Sequence, residues 1–161
     1  MSAIKNLRLK IFFPTFLLLI FFSCEQKKEI PVKAAATSNE ITFVGFSKVG
    51  GKGGNYRTIK ITKDSIQLEQ GSTVTKKHKQ WASSVTPDHW KLLTSSFDLT
   101  TLDHIKSSES VQAQDGIDET FRIKTTKKSH VYVNSYHDSI HYKQFEKFKS
   151  QLDKILPKEY K

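Results

Sequence analysis

Two short runs late in the chain alternate apolar and polar side chains so regularly that a β-hairpin is the only regular structure that suits them. Thr120-Phe-Arg-Ile-Lys-Thr125 and His130-Val-Tyr-Val-Asn-Ser135 flank Lys127-Lys128-Ser129, and a period of two with β-branched and aromatic residues defines strands. The same period governs Ile41-Thr-Phe43-Val-Gly-Phe46 and Tyr56-Arg-Thr-Ile59-Lys-Ile61-Thr, on either side of the glycine-rich stretch Gly50-Gly-Lys-Gly-Gly54. Lys63-Asp64 turns into a third strand, Ser65 to Glu69, and Gly71-Ser72 into a fourth over Thr73-Val74-Thr75. The period then changes. Thr86-Pro87-Asp88 has the chemistry of a helix start, with an N-cap, a proline at the first position and an early acid. Trp90, Leu93 and Phe97 follow on one stripe, and a shorter helical turn is expected from Leu99 to Ile105 before a polar loop, Ser107 to Asp115. A second stripe, Ile140, Phe145, Phe148, Leu152, Ile155 and Leu156, is capped by Asp138 or Ser139 and stopped by Pro157. The order predicts an α+β domain: an antiparallel sheet, made of a meander plus a C-terminal hairpin, with two main helices packed on one face.

Length and composition fit one such domain over residues 40–157. The chain has 161 residues with eleven Phe and five Tyr, enough for a core but not for a second one of useful size. Its single cysteine excludes an intramolecular disulfide framework, and seven glycines without a period exclude collagen.

The first 23 residues read as an address. Lys5, Arg8 and Lys10 precede an apolar run from Ile11 to Phe22, then Ser23 and Cys24. Twelve residues interrupted by Pro14 and Thr15 fall short of the roughly 20 needed to span a bilayer. With the only cysteine immediately after the run, the segment resembles the lipobox of bacterial lipoproteins; Ser23 matches that pattern, whereas Phe21 and Phe22 replace its usual Leu and small residue. The resemblance implies cleavage before Cys24, a diacylglyceryl group on its thiol and a further fatty-acyl (palmitate-type) chain on the new N-terminus. Two or three chains, each buried CH2 contributing about 0.8 kcal/mol, hold a protein on a bilayer durably. Residues 24–39 then comprise the lipidated cysteine and a flexible tether without apolar periodicity. Glu25, Lys27, Lys28 and Glu29 follow Cys24 with no Asp after it, which favours the outer over the inner membrane for an envelope lipoprotein. The domain, in its Asp115-Gly116 turn, its Ser135-Tyr-His-Asp138 segment and its closing amphipathic helix, resembles small lipid-anchored α+β proteins of bacterial envelopes.

Candidate chemistry is sparse. Gly50 to Asn55 lacks the spacing of a phosphate-binding P-loop and is followed by a strand, so its glycines are expected to serve a turn with positive φ. His137 and His141 would share one helical face and are the best metal candidates; with Asp138 they would form the centre of an alternative envelope hydrolase or metal-dependent enzyme, though no His-Glu-x-x-His pattern is present. Asp115, Asp118 and Glu119 cluster without the spacing of a calcium loop. No Gly-x-Ser-x-Gly elbow occurs, and the sequence implies no cofactor.

Charge is more informative. Residues 40–85 carry eight bases and three acids, residues 86–120 two bases and seven acids, and residues 121–161 ten bases and four acids. Lys76, Lys77 and Lys79 precede Trp81, and Arg122, Lys124, Lys127 and Lys128 are expected on the outer face and tip of the hairpin. An envelope tether argues against nucleic acid as the partner. An anionic lipid headgroup, lipopolysaccharide phosphates or an acidic envelope protein suits these residues better. The expected function is a non-enzymatic binding module with a basic sheet face; an inhibitor or immunity-like protein is a further alternative.

Overall fold

Period-two alternation produces six strands in one antiparallel sheet: β1 (Ile41–Gly50), β2 (Asn55–Ile61), β3 (Ser65–Ser72), β4 (Lys77–Ser84), β5 (Ile117–Thr125) and β6 (Ser129–Val133), in the spatial order β4-β3-β2-β1-β5-β6. Two helices, α1 (Pro87–Thr94) and α2 (Lys143–Ile155), complete a mixed α+β domain. The computed structural model describes residues 38–161. The signal segment and Cys24 lie outside the described residues, as does the tether up to residue 37. No helix among the described residues is long and apolar enough to cross a membrane.

The register sorts side chains into rows. Trp81, Leu68, Ile59, Phe46, Phe121 and Tyr132 stand opposite one another across the six strands. Two residues along each strand, the next row is Ser83, Ile66, Ile61, Val44, Ile123 and His130. Because successive residues point to opposite faces, both rows share one side of the sheet. They supply most of its buried residues. The Phe121 ring stacks on Phe46 at 4.8 Å and on Phe145 of α2 at 4.2 Å, and Phe97, just past α1, packs on Phe148 at 5.1 Å.

Local signals explain the helix ends. The Thr86 hydroxyl accepts from the His89 amide at 3.2 Å with Pro87 at the first position, as the sequence requires. The closing helix starts later than its capping residues suggest, at Lys143. Asp138 instead caps the turn before it, its Oδ1 accepting from the Ile140 and His141 amides at 3.2 and 3.1 Å. Ile140 is therefore off the buried stripe and 77% exposed. The expected turn between Leu99 and Ile105 contains a short 3-10 helix, Leu102–His104.

The fourth strand differs from expectation. Thr73, Val74 and Thr75 lie in the turn, where Lys76 adopts φ +53°, and Lys77–Ser84 forms the strand instead. That segment has almost no apolar alternation because it is an edge strand on which Trp81 alone packs against the core cluster. Its free side is partly covered: the Tyr160 hydroxyl donates to the Gln80 carbonyl at 2.9 Å, and its ring lies 6.1 Å from that of Trp81. The domain thus continues past Pro157. At the other edge, the Val133 amide donates to Ser107 Oγ at 3.0 Å and its carbonyl accepts from the Ser108 amide at 2.8 Å. Both contacts occupy groups that would otherwise template strand addition.

Candidate functional site: a cationic cavity at one end of the sheet

The side of the sheet that carries the apolar rows changes character toward the Gly50 end. The row beyond Trp81-Leu68-Ile59-Phe46-Phe121 reads Lys79, Gln70, Arg57, Lys48 and Glu119, and the one beyond that Lys77, Ser72, Asn55, Gly50 and Ile117. All of these residues except Glu119 and Gly50 line a cavity of about 550 Å³ to which four cations contribute: Lys48, Arg57, Lys77 and Lys79. Gly50 ends β1 opposite Ile117 of the lining. At φ +134°, a β-carbon there would meet the Gly116 carbonyl at 2.1 Å, so only glycine admits the contact that the Gly51 amide makes to that carbonyl at 2.9 Å.

Glu119 is the one carboxylate in these two rows, and it is already engaged. It is buried, pairs with Lys149 at 3.2 Å and Lys48 at 3.5 Å, and accepts from the Tyr142 hydroxyl. Lys149 also donates to Tyr142 Oη at 2.6 Å. Burial first, and then the Glu119 carboxylate, push the Tyr142 phenol above its usual range, so it stays a neutral donor. Arg57 is held in place by donating to the Tyr160 carbonyl, while its Nε is buried without a partner.

The seven bases singled out in the sequence do not come together. Lys77 and Lys79 line the cavity, with Lys76 in the adjoining turn. Arg122 and Lys124 alternate with Phe121 and Ile123 and so lie on the opposite face, where Lys124 sits 5.3 Å from the Phe43 ring centroid. Lys127 and Lys128 occupy the β5–β6 turn at the far end of the sheet, and Lys128 pairs with Asp103. Lys48 and Arg57 escaped the sequence reading because each is a lone base inside an alternating strand. Parity does reveal them: Val44-Phe46-Lys48, Ile61-Ile59-Arg57, Ile66-Leu68-Gln70 and Trp81-Lys79-Lys77 each turn from apolar to polar in the same direction.

His137 and His141 do not share a helical face. His137 ends a 3-10 turn and is exposed, and His141 precedes α2. The His141 ring bonds Asp138 at 2.9 Å. Asp138 is in turn engaged by the Lys106 amide at 3.0 Å. That amide first, against an opposing effect of burial, then the His141 ring and amide hold the Asp138 carboxyl well below its usual range. Among the described residues, no group of three His, Cys, Asp or Glu side chains is arranged to hold a metal ion.

Asp118 and Glu119 serve different partners, and Asp115 takes a left-handed turn position. Asp118 accepts from Ser110 Oγ at 2.6 Å, the Val111 amide at 2.9 Å and Asn134 Nδ2 at 2.8 Å, pinning the 107–116 loop. Burial opposes ionisation, but these hydrogen bonds outweigh it and keep the carboxyl below its usual range. Asn134 was read in sequence as the continuation of a strand. It instead takes φ +49° at 0% exposure and also bonds the Glu119 amide and the Glu109 carbonyl, each at 2.9 Å.

No family model matches the chain, and no curated protein matches it.

Proposed function

We propose that this is a lipid-anchored cell-envelope protein, tethered through acyl chains on Cys24 and placed at the outer membrane, whose domain is a non-enzymatic binding module for an anionic envelope component. In this reading α1 and α2 cover one face of the sheet and stop short of the Gly50 end, which leaves the cationic cavity for the partner. The observation that carries it is the charge imbalance there. Four cations face a concave surface, and the one carboxylate in their rows is committed to Lys149 and Tyr142 as well as Lys48. The alternative hydrolase centred on His137, Asp138 and His141 gains no such support, because both Asp138 oxygens are taken by backbone amides and the His141 ring.

Two measurements test the reading. Protein expressed with its native N-terminus should carry acyl mass on Cys24 and fractionate with outer-membrane markers, and Cys24→Ala should be released or left unprocessed. Wild type and mutant behaving alike would remove the anchor. Retention on an immobilised polyanion such as dextran sulfate should fall steeply with salt, and should fall at any given salt in Lys77→Glu/Lys79→Glu. Retention unaffected by that double substitution would remove the cavity from the function.

A further inference from the structure

We infer that the cavity binds a ligand carrying two or more phosphate groups. The inference rests on the anchored binding-module reading and narrows it to one ligand chemistry.

Charge density selects phosphate. The cavity, about 550 Å³, is the size of a small-molecule site and holds four cationic side chains. Balancing them with carboxylates would require four separate groups in that space. A phosphate monoester carries about 1.5 to 2 negative charges at neutral pH, so two of them suffice. The spacing favours more than one group. Lys79, Gln70, Arg57 and Lys48 stand on adjacent strands about 4.8 Å apart, so Lys79 and Lys48 root about 14 Å from each other. Arg57 provides a guanidinium already fixed by the Tyr160 carbonyl, with its buried Nε left without a partner. Lys48 is free to turn toward a ligand, since it is half exposed and Glu119 would keep Lys149 and Tyr142.

Full-length acylated protein in neutral detergent, its Cys24 modification checked by intact mass, should be titrated calorimetrically with inorganic tripolyphosphate and with orthophosphate. Tripolyphosphate should bind at least about tenfold more tightly than orthophosphate. Lys77→Glu/Lys79→Glu should weaken it by about 100-fold, roughly tenfold per charge-assisted contact, with Lys48→Gln as a milder second variant. The charge-matched control Lys91→Glu/Lys154→Glu should leave it unchanged. Equal affinity for the two phosphates, or binding that persists in the cavity variants, overturns the inference. So does flotation with anionic but not zwitterionic vesicles that depends on Lys127 and Lys128 without any tripolyphosphate binding, although that outcome leaves an anionic partner standing. Binding to neither probe, together with an unmodified Cys24, overturns the broader reading as well.

Discussion

Asn134 shows how much one residue can hold. Its amide joins the start of β5, the Asp118 carboxylate and the 107–116 loop, from a left-handed conformation that a side chain other than Asn or Asp tolerates poorly. Asn134→Ala should cost about 3 kcal/mol or more in chemical denaturation, through unpaired buried groups and backbone strain. Asn134→Gly, which keeps the backbone but loses the same bonds, should cost less. Equal losses would mean that the conformation carries no strain. Acid behaviour follows from Asp118 and Asp138, both held below the usual carboxylate range. The folded state therefore binds fewer protons than the unfolded chain in acid. The stability these two groups contribute is present above about pH 4 and is lost as pH falls through their lowered values. Denaturation followed from pH 6 to 2 should show this slope, shallower in Asp138→Asn; an unchanged slope would exclude Asp138 as a source. Nothing in the residue order announces Asn134, because an asparagine after Tyr132-Val133 reads equally well as strand or as turn. The Asp138–His141 contact was visible as proximity in sequence, but its role as a turn cap depends on the Lys106 amide, which folding brings from thirty-two residues away.

Among the elements, α2 has the clearest energetic role. Phe145 is fully buried between Phe121, Tyr132 and Phe97, so Phe145→Ala should destabilise by about 3 to 5 kcal/mol. Thr86→Ala, which removes only the cap of α1, should cost about 1 kcal/mol. Thermal melts of the two variants would rank them, and the reverse order would contradict this account of the core. The helix stripes, Ile140 apart, and five of the six strands were legible because burial on one side imposes a period. β4 was not. A strand with one neighbour and one inward aromatic has no apolar period to display, and its place is fixed by pairing with β3 and by Tyr160 from the end of the chain.

At the scale of the molecule, the segmental charge counts become directions in space. Bases gather at both ends of the sheet and on both faces, so the single basic face expected from the sequence is divided between the cavity and the hairpin. Composition shows how much charge there is but not where it points, and only strand parity separates Lys79 from Lys124. Because the Asp138 oxygens are already engaged, a chelator should leave the melting temperature unchanged, and a drop on adding EDTA would show a metal that stabilises the fold.

The strand order also sets a schedule. β1 pairs with β2 on one side and with β5 on the other, and its earliest partner in β5 is Ile117. The first four strands can zip up through neighbouring turns, a process of low contact order, while the second side of β1 stays unpaired until a far later part of the chain arrives. During synthesis the half-built sheet exposes the Val44 and Phe46 edge to its own kind. A chain stalled or cut before β5 is thus the form most prone to self-association, and slow delivery of the C-terminal half would be a larger hazard than slow folding of the N-terminal half.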